Sequence, residues 1–166
     1  MGEAIRAQFA AAKLPWQFSA IGSVIWAFLI GATTYIDARY FSGYALQRQL
    51  ELIALFFALG AAISFPLALF IARFLRKTPG KLRFIIIASS IAVCTLLATA
   101  IVLALEFRGY FVQWHAPFGT RLWLWQQFFT TAGAVYQYLV IGIRLYFPLG
   151  LIALFVVSLW ANRLDN

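Results

Sequence analysis

Residues 84–105 read FIIIASSIAVCTLLATAIVLAL and contain no charged side chain. A helix needs about 20 apolar residues to cross the hydrocarbon core of a bilayer, at about 1.5 Å per residue. Further charge-free runs occur at residues 18–36, 52–72 and 145–161. None of these runs alternates apolar and polar residues as the strands of a membrane barrel do. The sequence therefore predicts an all-α integral membrane protein, with four transmembrane helices in one membrane domain.

The composition agrees with this fold class. Of the 166 residues, 64% are apolar and 11% are charged, whereas soluble domains are about 45–50% apolar and about 25% charged. The composition excludes a soluble enzyme and a nucleic-acid-binding module. With one cysteine, Cys94, and one histidine, His115, the chain has no internal disulfide, no thiolate metal cluster and no multi-histidine metal site. We expect neither a cofactor nor a metal.

The distribution of cations predicts how the chain is threaded. Five of them, with no acid among them, follow the second run: Arg73, Arg76, Lys77, Lys81 and Arg83. Lysine and arginine are enriched in cytoplasmic loops, so this basic turn and both termini are predicted to face the cytoplasm from a cell inner membrane. The turn is also predicted to contact anionic lipid headgroups. Residues 1–15 are predicted to form a short amphipathic cytoplasmic tail.

The segment between the third and fourth runs, residues 106–143, is aromatic rather than polar. It contains three of the six tryptophans, and Pro117 and Gly119 divide it into two pieces. Because tryptophan gathers at membrane interfaces, the segment is predicted to be helical, extracytoplasmic and bound at the outer interface. Residues 122–143 either lie in that interface or extend the fourth helix. The residues predicted to contact lipid or a partner are Trp114, Trp123, Trp125 and Phe128.

Three charged residues at the predicted outer boundary are candidates for ligand binding or ion pairing. Arg144 lies 17 residues before Ala161, about 25 Å along a helix. It is either an anchor that snorkels to the headgroups or a residue that binds an anion or a carboxylate. Asp37 and Glu106 lie at the same level and are its predicted partners.

Small residues predict where helices pack closely. In the first run they recur at intervals of four residues, at Ser19, Ser23, Ala27 and Gly31. Such series let two helix backbones approach each other in lipid. They predict either a compact bundle or contact with the helices of a partner.

Several positions in or directly beside the first three runs follow a known pattern. They are Phe18, Gly22, Ser64, Phe65, Arg73, Leu82, Arg83 and Phe84. In these positions the first 105 residues resemble the GtrA-like family of small four-span proteins, which implies a link to the translocation of polyprenyl-phosphate sugars. The layout also resembles the small membrane subunits of TRAP-type transporters, through Arg39, Tyr40, Phe41 and Glu51. No site residue is carried over from either family.

These features favour a non-enzymatic subunit or accessory factor of a larger membrane complex, acting through helix–helix and lipid contacts. Its predicted partners are membrane lipids and a larger membrane protein or further copies of the chain. The alternative is a carrier for a lipid-linked or small anionic substrate, with Arg144 as the anion contact. A membrane enzyme that uses Glu106, Asp37 and His115 ranks last, because the sequence contains no recognisable nucleophile–base pair or metal set.

Overall fold

The computed structural model describes residues 15–43, 47–75 and 81–164. Most of the predicted cytoplasmic tail lies outside this range. The predicted lipid contacts Arg76 and Lys77 also lie outside it, as does the side chain of Lys81.

The described residues are helical and contain no strand, which confirms the predicted all-α class. They form five α-helices: α1 (Trp16–Ile36), α2 (Gln47–Phe74), α3 (Lys81–Phe111), α4 (Arg121–Val140) and α5 (Leu149–Leu164). Three short segments differ in their helix type. Asp37–Phe41 is a π-helical turn, and Val112–Trp114 and Gly142–Tyr146 are 3₁₀-helical.

Among the described residues, three helical stretches are long and apolar enough to cross a membrane. They are Trp16–Phe41, Arg48–Phe74 and Leu82–Trp114, and they contain the first three predicted spans. The fourth apolar helix is shorter than predicted. It was expected over residues 145–161, but α5 begins at Leu149 and has 16 residues, about 24 Å at 1.5 Å each. Pro148 has no backbone N–H to donate inside a helix and is readily tolerated at a helix start; it directly precedes α5.

Four of the helices form a closed ring. α1 packs against α2, α2 against α3, α3 against α5, and α5 against α1, while α4 packs along α3. The largest fully buried apolar side chains among the described residues are Trp26 and Ile30 from α1, Leu50, Phe57 and Phe65 from α2, and Ile91 from α3. The buried positions follow the spacing of one helix face, as expected when each helix turns one stripe inward.

The two ends of the bundle differ in chemistry. Arg73 near the end of α2 and Arg83 near the start of α3 lie at one end, called here the basic end. Phe18 of α1 stacks on Trp160 of α5 with ring centroids 5.5 Å apart, so α5 runs toward this same end. The opposite end carries the aromatic segment that follows α3 and is called here the aromatic end.

A chain of side-chain hydrogen bonds and one close backbone contact fix how α1, α2 and α3 pack in the middle of the bundle. Trp26 Nε1 donates to Thr95 Oγ1 at 3.0 Å, and Thr95 Oγ1 shares a 2.9 Å hydrogen bond with Ser64 Oγ. Gly60 of α2 lies directly against Thr99 of α3, because a Cβ at Gly60 would come within 2.7 Å of the Thr99 Cα. Hydrogen-bonding side chains and small residues are the usual means by which helices associate in lipid.

Candidate functional site

The path from α3 to α5 contains the least regular part of the fold. After Phe111 the chain turns back, and α4 runs antiparallel to α3 toward the middle of the bundle. α4 ends at Val140, the Gly142–Tyr146 segment follows, and α5 continues from Leu149 toward the basic end. Residues 141–148 are therefore an interruption between two helices, called here the break. Residues 122–143 accordingly do not extend the fourth helix: most of them form α4, which the break separates from α5.

Two buried tyrosines hold the break in the bundle. Tyr146 OH donates to Thr99 Oγ1 at 2.9 Å, and Tyr138 OH donates to Tyr146 OH at 3.4 Å. Phe57 of α2 packs on both rings, with centroid distances of 6.1 Å to Tyr138 and 5.1 Å to Tyr146. Gly142 leaves room for the Tyr138 ring, since a Cβ there would meet its Cδ2 at 2.5 Å. Thr99 precedes Glu106 by seven residues, about 10 Å along α3, so the break lies inside the bundle.

A polar chain ties the other end of α4 to α3. Arg108 Nε donates to Gln127 Oε1 at 2.6 Å, and Gln127 Nε2 lies 2.7 Å from His115 Nδ1. Because arginine only donates, Gln127 Oε1 must accept, so its amide nitrogen donates to Nδ1. On its other side, His115 Nε2 forms a hydrogen bond with Thr130 Oγ1 at 3.2 Å.

Local turn chemistry explains where α4 begins. Gly119 has a φ of +83°, a conformation that glycine adopts at little cost. Thr120 then caps the helix, because its Oγ1 accepts from the Trp123 backbone N–H at 3.1 Å. The end of α3, this turn and the first half of α4, residues 106–130, are called here the aromatic hairpin.

The four predicted contact residues all lie in the aromatic hairpin. Trp114, Trp125 and Phe128 are exposed, with 62% of the Phe128 side chain accessible. Trp123 is half-buried and packs edge-on against Phe118, with centroids 4.6 Å apart. α4 also exposes other large apolar side chains: Leu122, Leu124, Phe129, Tyr136 and Leu139.

The three charged candidates are not joined to one another. Asp37 is buried, whereas Glu106 and Arg144 are exposed. Within the described residues no ion pair or hydrogen bond links any two of them, and the hydrogen-bond partner of Asp37 Oδ2 is the Ser42 hydroxyl at 3.3 Å. The predicted pairing is thus absent from this arrangement, and the roles proposed for the individual residues stay predictions.

The small residues of α1 lie in two different settings. Ala27 and Gly31 line an open groove of about 630 Å³ together with Ala54 and Ala58 of α2. A Cβ at Gly31 would lie 3.1 Å from the Ala58 Cβ, so α1 and α2 are close neighbours at the groove floor. Ser19 and Ser23 lie nearer the basic end and do not line the groove. Of the predicted lipid-binding cations, Arg73 and Arg83 are half-buried at the basic end.

Sequence reasoning missed the tyrosine contacts at the break and the polar chain around His115. One signal for the tyrosine contacts was present: Tyr138, Gly142 and Tyr146 recur at intervals of four residues, the spacing of neighbours on one helix face. Comparison with protein-family models, with curated proteins and with solved structures gives no match. The likeness to GtrA-like and TRAP-type proteins therefore remains one of layout.

Proposed function

We propose that this protein is a non-enzymatic membrane subunit or accessory factor that works through contact, and that its main contact surface is the aromatic hairpin. The observation that carries the proposal is the exposed apolar surface of the hairpin at the far end of a helix that is longer than a hydrocarbon core is thick. The helical stretch Leu82–Trp114 has 33 residues and is about 50 Å long, against about 30 Å for the hydrocarbon core. Its far end, with the first half of α4, therefore projects past the core.

Exposed aromatic side chains on such a projection need a covering surface. Trp114, Trp125 and Phe128 are all exposed there, and large exposed apolar patches mark sites of protein or membrane contact. The headgroup layer covers the part nearest the core, and a partner protein covers the rest. Tryptophan is among the residue types that contribute most to protein–protein binding energy.

The proposed placement completes the topology. We propose that α5 is the fourth span. At about 24 Å it is shorter than the hydrocarbon core, and the break covers the part of the thickness that α5 leaves. The basic end and both termini then face the cytoplasm from a cell inner membrane, where Arg73 and Arg83 attract anionic headgroups. The aromatic hairpin faces the outside.

The break supports a second candidate function, a carrier for a lipid-linked or small anionic substrate. Many transporters bind their substrates where membrane helices are discontinuous, and residues 141–148 form such an interruption. Arg144 lies in the break and its side chain is exposed. An anion at the level of the break can therefore reach its guanidinium. A carrier loses its transport rate in Arg144→Gln at unchanged expression, whereas a contact subunit does not depend on this charge.

Co-purification from mild detergent tests the leading proposal. The wild-type chain should purify with a stoichiometric membrane partner, and the double variant Trp125→Ala/Phe128→Ala should lose most of it. The matched control is Val93→Ala/Leu97→Ala, which truncates two exposed side chains of mid-α3 and should retain the partner. Two differently tagged copies in one cell distinguish self-association from a second protein. A functional chain that purifies as a bare monomer contradicts the proposal.

A further inference from the structure

Among the described residues, Asp37 is the one carboxylate that is buried. Its side chain is 3% exposed, at the point where α1 passes into the π-helical turn. Oδ2 accepts a hydrogen bond from Ser42, but Oδ1 is buried and has no hydrogen-bond partner among the described residues. A buried carboxylate oxygen without a partner is costly, so the described residues leave the hydrogen bonding of this carboxylate incomplete.

Thr34, three residues before Asp37, likewise has a buried side-chain oxygen atom that lacks a hydrogen-bond partner among the described residues. Its side chain is fully buried, and this oxygen atom is Oγ1. Residues three apart on a helix are neighbours on one face. Thr34 near the end of α1 and Asp37, the first residue of the π-helical turn, therefore share a face, and each has a buried oxygen atom without a partner among the described residues.

The backbone around these side chains also favours positive charge. They lie at the carboxyl end of α1, which carries the negative end of the helix dipole. The helix widens there into the π-helical turn, where the Ser42 N–H bonds to the Asp37 carbonyl at 2.9 Å. π-Helical turns occur frequently at functional sites, and the carboxyl ends of interrupted membrane helices coordinate Na⁺ in transporters.

No cation of the described chain neutralises Asp37. The π-helical turn packs against the Gly142–Tyr146 segment, whose charged residue, Arg144, is exposed. Arg39 in the turn itself is exposed, as are Arg48 and Glu51 at the start of α2. None of these side chains forms a hydrogen bond or ion pair with Asp37.

We propose that Asp37 Oδ1 and Thr34 Oγ1 bind an alkali-metal cation, either Na⁺ or K⁺. One carboxylate balances one positive charge, and oxygen atoms are the ligands that hard cations prefer. The described residues contain no cluster of three histidine, cysteine, aspartate or glutamate side chains, as a transition-metal site would require. A proton bound at Oδ1 is the competing way to satisfy the carboxyl, and the two differ in how the stability responds to Na⁺ and K⁺. This site goes beyond the proposed function and requires neither a partner protein nor a transported anion.

Thermal unfolding of the full-length protein in mild detergent tests the site. The probes are NaCl and KCl, each exchanged against choline chloride at constant ionic strength. A ligand that binds only the folded state raises the unfolding temperature by an amount that grows with the logarithm of its concentration. We expect a rise of about 3 °C at about five times the dissociation constant, and Na⁺ and K⁺ are separated by the concentration of each that gives this rise.

The variants assign the effect to the two oxygen atoms. Asp37→Asn should abolish the cation-specific rise in unfolding temperature. Thr34→Val should raise the cation concentration needed for the same rise at least about tenfold. The control Glu106→Gln, which removes an exposed carboxylate, should leave the rise intact.

Direct binding of ²²Na⁺ and ⁸⁶Rb⁺ (as a K⁺ tracer) to the wild-type protein provides a second measurement if Asp37→Asn fails to fold. A wild-type protein that neither is stabilised by nor binds either cation overturns the site, as does a rise that persists in Asp37→Asn. A stability that changes with pH but not with Na⁺ or K⁺ indicates a protonated carboxyl and also overturns it. Partner co-purification is a separate measurement, so the two proposals fail independently.

Discussion

Tyr146 donates its hydroxyl proton to Thr99 Oγ1 at 2.9 Å, across 47 residues of sequence. This bond joins the break to the middle of α3, at the level where Gly60 of α2 lies against the same threonine. Because Tyr138 in turn donates to the Tyr146 hydroxyl, one threonine positions the end of α4 and the start of α5. The break is therefore a fixed part of the fold.

Tyr146→Phe should destabilise the protein. It removes both hydrogen bonds of the Tyr146 hydroxyl and leaves Tyr138 OH buried without its acceptor. We expect a loss of about 1 kcal/mol and an unfolding temperature lower by about 3 °C, measured by tryptophan fluorescence in detergent. Tyr136→Phe, at an exposed position of α4, is the control and should leave the temperature unchanged. If both substitutions lowered the unfolding temperature equally, the Tyr146 hydroxyl would contribute no more to stability than an exposed one.

Gly60→Ala adds only one methyl group but should destabilise the protein. The added Cβ would lie 2.7 Å from the Thr99 Cα, so the backbones of α2 and α3 must separate, at about 1–3 kcal/mol. Gly109→Ala is the control, because a Cβ there meets nothing within 4 Å and alanine favours the helix by about 1 kcal/mol. Opposite shifts in unfolding temperature are expected, and a stabilising Gly60→Ala would contradict the close packing of α2 and α3.

Gln127→Ala should loosen the aromatic hairpin without unfolding the bundle. The amide of Gln127 links Arg108 to His115, so its removal breaks the polar chain on both sides. Hydrogen exchange of the backbone in residues 112–127 should accelerate at least about tenfold, which corresponds to about 1.4 kcal/mol of lost protection. Gln137→Ala, at an exposed position of α4, serves as the comparison. Unchanged exchange in Gln127→Ala would show that the chain does not stabilise the hairpin.

The proposed topology predicts which thiols are reached from outside the cell. Thr120→Cys at the exposed tip of the aromatic hairpin should react with a membrane-impermeant maleimide in intact cells. Lys77→Cys in the basic turn should react only after permeabilisation. The native Cys94 is buried, so the wild-type protein gives the background. Labelling of Lys77→Cys but not Thr120→Cys in intact cells would invert the topology.

The three long helices were predictable because their signal is local. The charge-free runs at residues 18–36, 52–72 and 84–105 fall inside the structural stretches Trp16–Phe41, Arg48–Phe74 and Leu82–Trp114, since burial in lipid depends on the composition of each run. The start of α5 was not predictable in this way. The charge-free run begins at Leu145, four residues before α5, and the interruption depends on contacts with Thr99 and Phe57, which are distant in sequence.

The candidate site was predictable only as a set of residue types. Four residues, Trp114, Trp123, Trp125 and Phe128, were assigned to an interfacial contact surface from their residue types alone. Three of them are exposed and Trp123 is half-buried, and their contacts stay a prediction. Asp37 was expected to be paired with Arg144 because both lie near the same boundary. Its burial without that partner follows from how the 37–41 turn packs against the break, and no local pattern in the sequence carries this information.

Photocrosslinking in living cells tests the contact proposal most directly. A benzoyl-phenylalanine probe replaces Trp125 in the aromatic hairpin in one strain and Leu97 in mid-α3 in another, since both side chains are exposed. The Trp125 probe should give one adduct of defined mass, to a second protein or to another copy of this chain, and the Leu97 probe should give none. Lipid adducts alone at Trp125, or the same protein adduct at both positions, would contradict a contact surface at the aromatic hairpin.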